Sequence, residues 1–189
     1  MAYRKTEKVL AQLAAKRESL IDAAVEIIEH DGVEALTVDR VSFETGVSVG
    51  GFYKHFPDKI ELYNAVVARV IEGDIEALTR AVSPQSDHAK RLYAGLVALY
   101  RRFTRRRLRA AMFADVGYCA SLQLALRPLI TPLADPGANV KPHSAAILGA
   151  LAGLYETVGQ GDGIASFAAR FALAGLGIPS RVMVGLARD

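Results

Sequence analysis

From Leu20 to Ile28 apolar residues recur at helical spacing. Leu20, Ala24, Ile27 and Ile28 share one stripe, and Glu18, Asp22, Glu26 and Glu29 hold the opposite, solvent face. This predicts a first helix that Gly32 stops. A shorter pattern opens at Thr37, whose hydroxyl can cap a free backbone amide, with Asp39 in the positive first turn and Val38 and Val41 on the apolar side. Gly46 stands where a tight reversal needs a positive φ, and Ser48 can cap another helix just beyond it. There Phe52 and Phe56 lie four residues apart on one face and close a small core with Val41 and Val47. Val49, Gly50, Tyr53 and Lys54 are left pointing outward. Two short helices joined so tightly must cross steeply, which is the geometry of a helix-turn-helix.

Pro57 and Asp58 end that helix and start the next, whose N-terminal amides and Lys59 offer a phosphate site. The new helix is predicted from about Asp58 to Val82, on the pattern Ile60, Leu62, Tyr63, Val66, Val67, Val70 and Ile71, stopping before Ser83-Pro84. A further helix spans roughly Asp87 to Thr104, with Leu92, Leu96, Leu99 and Phe103 on one side. Helical material continues from Leu108 to Tyr118 and from Ser121 to Ile130, until Pro132, Pro136, Gly137 and Pro142 impose a loop. Two last helices are predicted near His143 to Gly159 and Gly163 to Leu176. Alternating β-branched runs are missing, so the fold class is all-α.

The segment from about Ser19 to Val67 resembles the TetR (tetracycline repressor) family of regulators. The likeness is densest in Gly46-Val47-Ser48-x-Gly50-x-x-Tyr53-x-His55-Phe56-x-x-Lys59-x-x-Leu62. The resemblance implies an N-terminal three-helix helix-turn-helix DNA-binding domain, residues 1–64, and a larger C-terminal helical ligand-binding and dimerisation domain, residues 65–189. It further implies a homodimer on a palindromic operator in double-stranded DNA, repression relieved by a small-molecule effector, and no cofactor. Ser42 and Thr45 depart from common alanines, a mild change. Gly51 stands where Thr, Ser or Ala often faces DNA, so Val49-Gly50-Gly51 offers few groups for reading base edges. By chemistry and by analogy, Tyr53, His55 and Lys59 hold phosphates, Lys54 reaches a guanine edge and Val49 a thymine methyl. Thr37, Ser48, Gly50 and Gly51 complete the expected DNA face, with sequence preference leaning on water and DNA shape.

Charge changes this picture in one respect. The 189 residues carry a net +3, yet residues 1–81 hold ten Lys and Arg against fourteen Asp and Glu, a net of −4, and the remainder is +7. Binding depends on the local field, and 46–57 contains Lys54 and His55 with no acid. Arg4, Lys5 and Lys8 can add an arm along the backbone or into the minor groove. The densest positive run, Arg101 to Arg109, has three readings: a solvated helix end, a second nucleic-acid surface, or arginines paired with an acid or an anionic ligand.

The C-terminal half carries weaker signals. Ala145, Gly149 and Gly153 recur every four residues, as do Ala165 and Ala169, and Ala168 and Ala172; such flat ridges suit close helix packing, inside one subunit or across a dimer. The resemblance favours the dimer. Tyr93, Tyr100, Phe103, Met112, Phe113, Tyr118 and Tyr155 are candidates for an effector pocket and equally for core. Cys119 is the single cysteine, without a nearby basic residue to activate it, and reads as a structural thiol. His30, His55, His88 and His143 are scattered, so no metal site is expected. No stretch approaches the ~18 apolar residues that span a bilayer, which sets a cytoplasmic location as the expectation. The acids Asp87, Asp115, Asp135, Glu156, Asp162 and Asp189 lie in no catalytic motif, so an enzyme is not expected. An activator or a sequence-neutral DNA-binding protein are the alternatives to a repressor.

Overall fold

The first stripe lies in α1 (Glu7–Asp31), where Leu20, Ile21, Ala24, Ile27 and Ile28 are buried. Gly32 follows at φ 87°, and a single 3-10 turn, Val33–Ala35, leads into α2 (Val38–Thr45). Thr37 caps α2 by accepting from the Arg40 amide at 3.2 Å. Gly46 closes the helix in the left-handed region at φ 65°, a conformation that costs any residue bearing a Cβ roughly 1–2 kcal/mol. Ser48 caps α3 (Val49–Phe52), and α4 (Lys59–Val82) follows. Val41, Phe52, Phe56, Leu62 and Val66 complete the core begun by α1. Arg69 of α4 pairs with Glu18 and Asp22 of α1, a use for two acids on the solvent face of that helix.

The computed structural model describes residues 7–103, 105–159 and 161–177; Arg4, Lys5 and Thr104 lie outside the described residues. Two compact units divide within α4, one up to Arg69 and one from Val70. The second unit contains α5 (His88–Arg101), α6 (Arg106–Ala114), α7 (Val116–Ile130), α8 (Lys141–Val158) and α9 (Asp162–Gly175). In it α5 packs on α9 and α7 on α8, around Leu92, Leu96, Leu99, Leu122, Leu126, Leu148 and Leu151. The described residues contain no strand.

Three boundaries differ from the periodicity, each for a local reason. Helix α5 ends at Arg101, so the arginine run straddles a break between α5 and α6. The break after α6 falls at Asp115, whose carboxylate caps α7 by accepting from the Tyr118 amide at 2.8 Å, so Tyr118 belongs to α7. Pro142 lies in the first turn of α8, where a missing N–H removes no helical bond. No helix among the described residues is long and apolar enough to cross a membrane.

Candidate nucleic-acid interface

Helix α3 has only four residues, and its chain continues through tight turns to Phe56. The Phe56 amide still bonds to the Phe52 carbonyl at 3.0 Å, so the two rings stay on one face, 5.9 Å apart, and both are buried. That burial forces Tyr53 outward: its ring meets Phe52 edge-on at 5.5 Å while the side chain remains 54% exposed. Val49, Gly50, Lys54 and Lys59 are exposed beside it.

Ser48 accepts from the Gly51 amide at 3.1 Å, which engages that amide inside the turn. A Cβ on Gly51 would stand 2.9 Å from Val47 Cγ1, so its missing side chain faces the turn; at Gly50 the space is open. Of the two glycines expected on the DNA face, Gly50 is therefore the one with open space beside its backbone. The start of α4 is also modified. Asp58 accepts from the Glu61 amide at 2.8 Å, placing a carboxylate where a phosphate was expected, and Lys59 contributes there as an exposed cation.

His55 is half-buried among cations that its neighbours in sequence do not reveal. Burial, then the charges of Lys16, Arg17 and Lys54, hold its pKa below 6.5. Arg17 also lies over the Phe56 ring, 4.9 Å from its centroid. Lys16 and Arg17 belong to α1 and were not among the expected DNA-facing residues. Their position at the end of the Leu20 stripe, one helical turn before it, was the available signal.

In the second unit, five of the seven candidate pocket residues form a connected ring cluster. Phe103 meets Phe113 at 5.1 Å, Tyr100 at 5.5 Å and Tyr155 at 5.6 Å, and Phe113 meets Tyr118 at 6.0 Å. Met112 is buried, and Tyr93 is half-buried on α5. The Tyr100 hydroxyl donates to the Gly159 carbonyl at 2.7 Å. Asp74 of α4, fully buried, accepts from Arg109 Nη1 at 2.5 Å, Arg102 Nε at 2.6 Å and the Tyr118 hydroxyl at 2.8 Å. Thus the arginine run is in part an acid-pairing element. Burial pushes the Cys119 thiol up in pKa, with Asp115 adding to it, as a structural thiol requires. Among the described residues no cluster of His, Cys, Asp or Glu could hold a metal.

The small-residue ridges separate. Ala145, Gly149 and Gly153 are exposed on α8, whereas Ala165, Ala168, Ala169 and Ala172 are buried within the chain. The four alanines therefore pack α9 against its own neighbours and offer no surface to a partner. On α9 the exposed large apolar residues are Phe167 and Phe171, with ring centroids 6.3 Å apart.

Residues 20–66 match the family model of bacterial regulatory proteins of the tetR family. The helix-turn-helix unit belongs to the TetR family. Matches to curated relatives cover less than half of this chain. The chain is 32% identical over 85 residues to the HTH-type transcriptional activator FasR of Mycolicibacterium smegmatis, covering 45% of this chain and 39% of that one. It is 31% identical over 72 residues to the HTH-type nicotine-responsive transcriptional repressor HdnoR of Paenarthrobacter nicotinovorans, covering 38% and 37%. These matches span less than half the length of the relatives. Solved structures extend the likeness of fold. RolR in complex with resorcinol superposes with a TM-score of 0.68 at 18% identity, over 95% of this chain and 97% of that one. SmeT, the repressor of the Stenotrophomonas maltophilia multidrug efflux pump SmeDEF, gives 0.61 at 24% identity, over 85% and 87%. The fold of these neighbours, a helix-turn-helix unit followed in sequence by a larger helical unit, accordingly runs through the chain.

Proposed function

We propose that this protein is a ligand-responsive, sequence-specific regulator of transcription that binds a palindromic operator as a homodimer and is released by a small apolar or aromatic effector. The observation that carries the DNA face is the set Lys16, Arg17, Lys54 and His55 beside the exposed Tyr53 and Lys59. Four cations and a polarisable imidazole concentrate positive charge here, although residues 1–81 as a whole carry a net −4. Phosphate contacts from Tyr53, His55, Lys59, Lys16 and Arg17 set the register, and Val49, Gly50 and Lys54 supply the little direct reading available. Shape and water carry the remaining preference.

The dimer reading rests on exposed Ala145, Gly149 and Gly153 on α8 and exposed Phe167 and Phe171 on α9. A twofold pair of reading units matches a palindrome. The effector acts by binding the DNA-incompetent arrangement more tightly, through α4, which supplies residues to both cores. Its place is the aromatic cluster of the second unit. RolR and HdnoR, whose names include resorcinol and nicotine, support an aromatic effector.

Selection of bound sequences from random DNA, followed by a screen for small molecules that release the complex, tests the whole reading. Enrichment of one palindrome supports it, and equal retention of all sequences would leave only sequence-neutral binding. A transcriptional activator is the second reading, favoured by the likeness to FasR. It is distinguished by whether deleting the gene lowers or raises transcription from the selected site.

A further inference from the structure

The buried cluster around Asp74 holds one carboxylate between a buried and a partly exposed guanidinium. Arg109 is 4% exposed and Asp74 is fully buried, while Arg102, on the other side of the same carboxylate, remains partly in solvent. One carboxylate thus serves two guanidinium groups. Tyr118 adds no charge: burial raises its pKa, and the neutral hydroxyl accepts from Arg109 Nη1 at 2.6 Å while donating to Asp74. Arg109 Nη2 bonds to Asp74 Oδ1 at 3.0 Å and to the Arg102 carbonyl at 3.2 Å. Its remaining donor, Nε, is buried and has no partner among the described residues. An unused donor on a buried cation is costly, and an anion is the group that satisfies both its charge and its hydrogen.

The surroundings select the body that such an anion carries. The Arg109 guanidinium lies over the Phe103 ring at 4.9 Å, and Phe103 is walled by Phe113, Tyr100 and Tyr155. Phe113 is half-buried where the other rings are buried. We infer that Arg109, with its free Nε and the Phe103 wall, is a binding site for a monoanionic aromatic effector, an aromatic carboxylate, whose charge completes the Asp74 cluster.

With the ligand bound, two carboxylates face two guanidiniums. Arg109 keeps its Nη donors on Asp74 and gives Nε to the effector, but its charge is then shared between two carboxylates, which weakens its attraction to Asp74 and hence its hold on α4. The inference rests on reading the chain as an effector-responsive regulator and names the effector's chemistry. A phenol or an amide of the same shape lacks the full charge and binds more weakly.

The test uses the full chain with benzoate, phenylacetate and naphthoate, each beside its primary amide, measured by calorimetric titration. At least one carboxylate is expected to bind saturably, about tenfold or more tighter than its amide, the scale of one charge-assisted hydrogen bond. Arg109→Met is expected to abolish this binding. Asp74→Asn, which removes the competing carboxylate and keeps the side-chain shape, is expected to tighten it, and this result stands even where Arg109→Met fails to fold. Equal binding of acids and amides, retention in Arg109→Met, weakening in Asp74→Asn, or no binding by any carboxylate would each overturn the inference. Release of the operator by a neutral compound, indifferent to Arg109, would sink the inference while leaving the regulator reading intact. Carboxylate binding by a chain that selects no DNA would do the reverse.

Discussion

At Ser42 a hydroxyl replaces what the family motif commonly fills with a methyl, and its Oγ is buried without a partner. Thr45, the other departure, is satisfied by the Val41 carbonyl at 2.8 Å. We therefore expect Ser42→Ala to stabilise the protein by about 1 kcal/mol, the penalty of an unsatisfied buried hydroxyl, read as a higher midpoint in urea. A fall in the midpoint would mean that the hydroxyl is satisfied after all. His55 carries a second prediction. Its pKa lies below 6.5, so the free protein holds it neutral at pH 7, while a nearby phosphate favours the imidazolium. Binding then takes up a proton, and DNA affinity rises as pH falls from about 8 to about 6. His55→Gln should flatten that dependence in an anisotropy titration; an unchanged slope would remove His55 from the interface. The same residue lowers stability in acid, because the unfolded chain binds its proton first as pH falls through 6.5. Lys16→Gln and Arg17→Gln should each reduce the salt slope of DNA binding by about 0.9 and weaken all sequences alike.

At the scale of elements, α4 and α6 show how one buried acid organises several helices. Asp74 on α4 is met by Arg109 from α6, Tyr118 from α7 and Arg102 at the end of α5. Removing the buried cation in Arg109→Met leaves Asp74 with only the partly exposed Arg102 as a cationic partner, and we expect a loss of about 3 kcal/mol, visible as a drop in thermal midpoint. Asp74→Asn should cost at least as much, because it leaves the buried Arg109 guanidinium without its carboxylate, whereas Arg102 still pairs with Asp74 in Arg109→Met; a clearly smaller loss in Asp74→Asn would contradict this account. The helices themselves were largely legible. The Leu20 stripe, the caps Thr37 and Ser48 and the turn at Gly46 all appear where their chemistry requires. The α6–α7 break was misplaced because Asp115 acts as a cap, a local signal that apolar spacing cannot show.

For the whole molecule, the exposed aromatics of α9 matter most. Phe167 and Phe171 are 55% and 57% exposed with their rings stacked, an apolar pair that the proposed dimer would cover. Replacing both by Ser should convert a dimer into a monomer in sedimentation at micromolar concentration, with the helical content retained; a wild-type monomer would end the dimer reading. The sequence by itself determined the all-α class and the helix-turn-helix, because caps, turns and apolar periods are set by residues a few positions apart. It also placed Val49, Gly50, Tyr53 and Lys54 on the outward side of the helix-turn-helix, where all four are exposed. Tertiary structure alone decided that Lys16 and Arg17 join His55, that the α9 alanines turn inward, and that Asp74 gathers Arg102, Arg109 and Tyr118. These are contacts between residues far apart in the chain, whose energy comes from burial and charge in the folded state, and no local pattern encodes them.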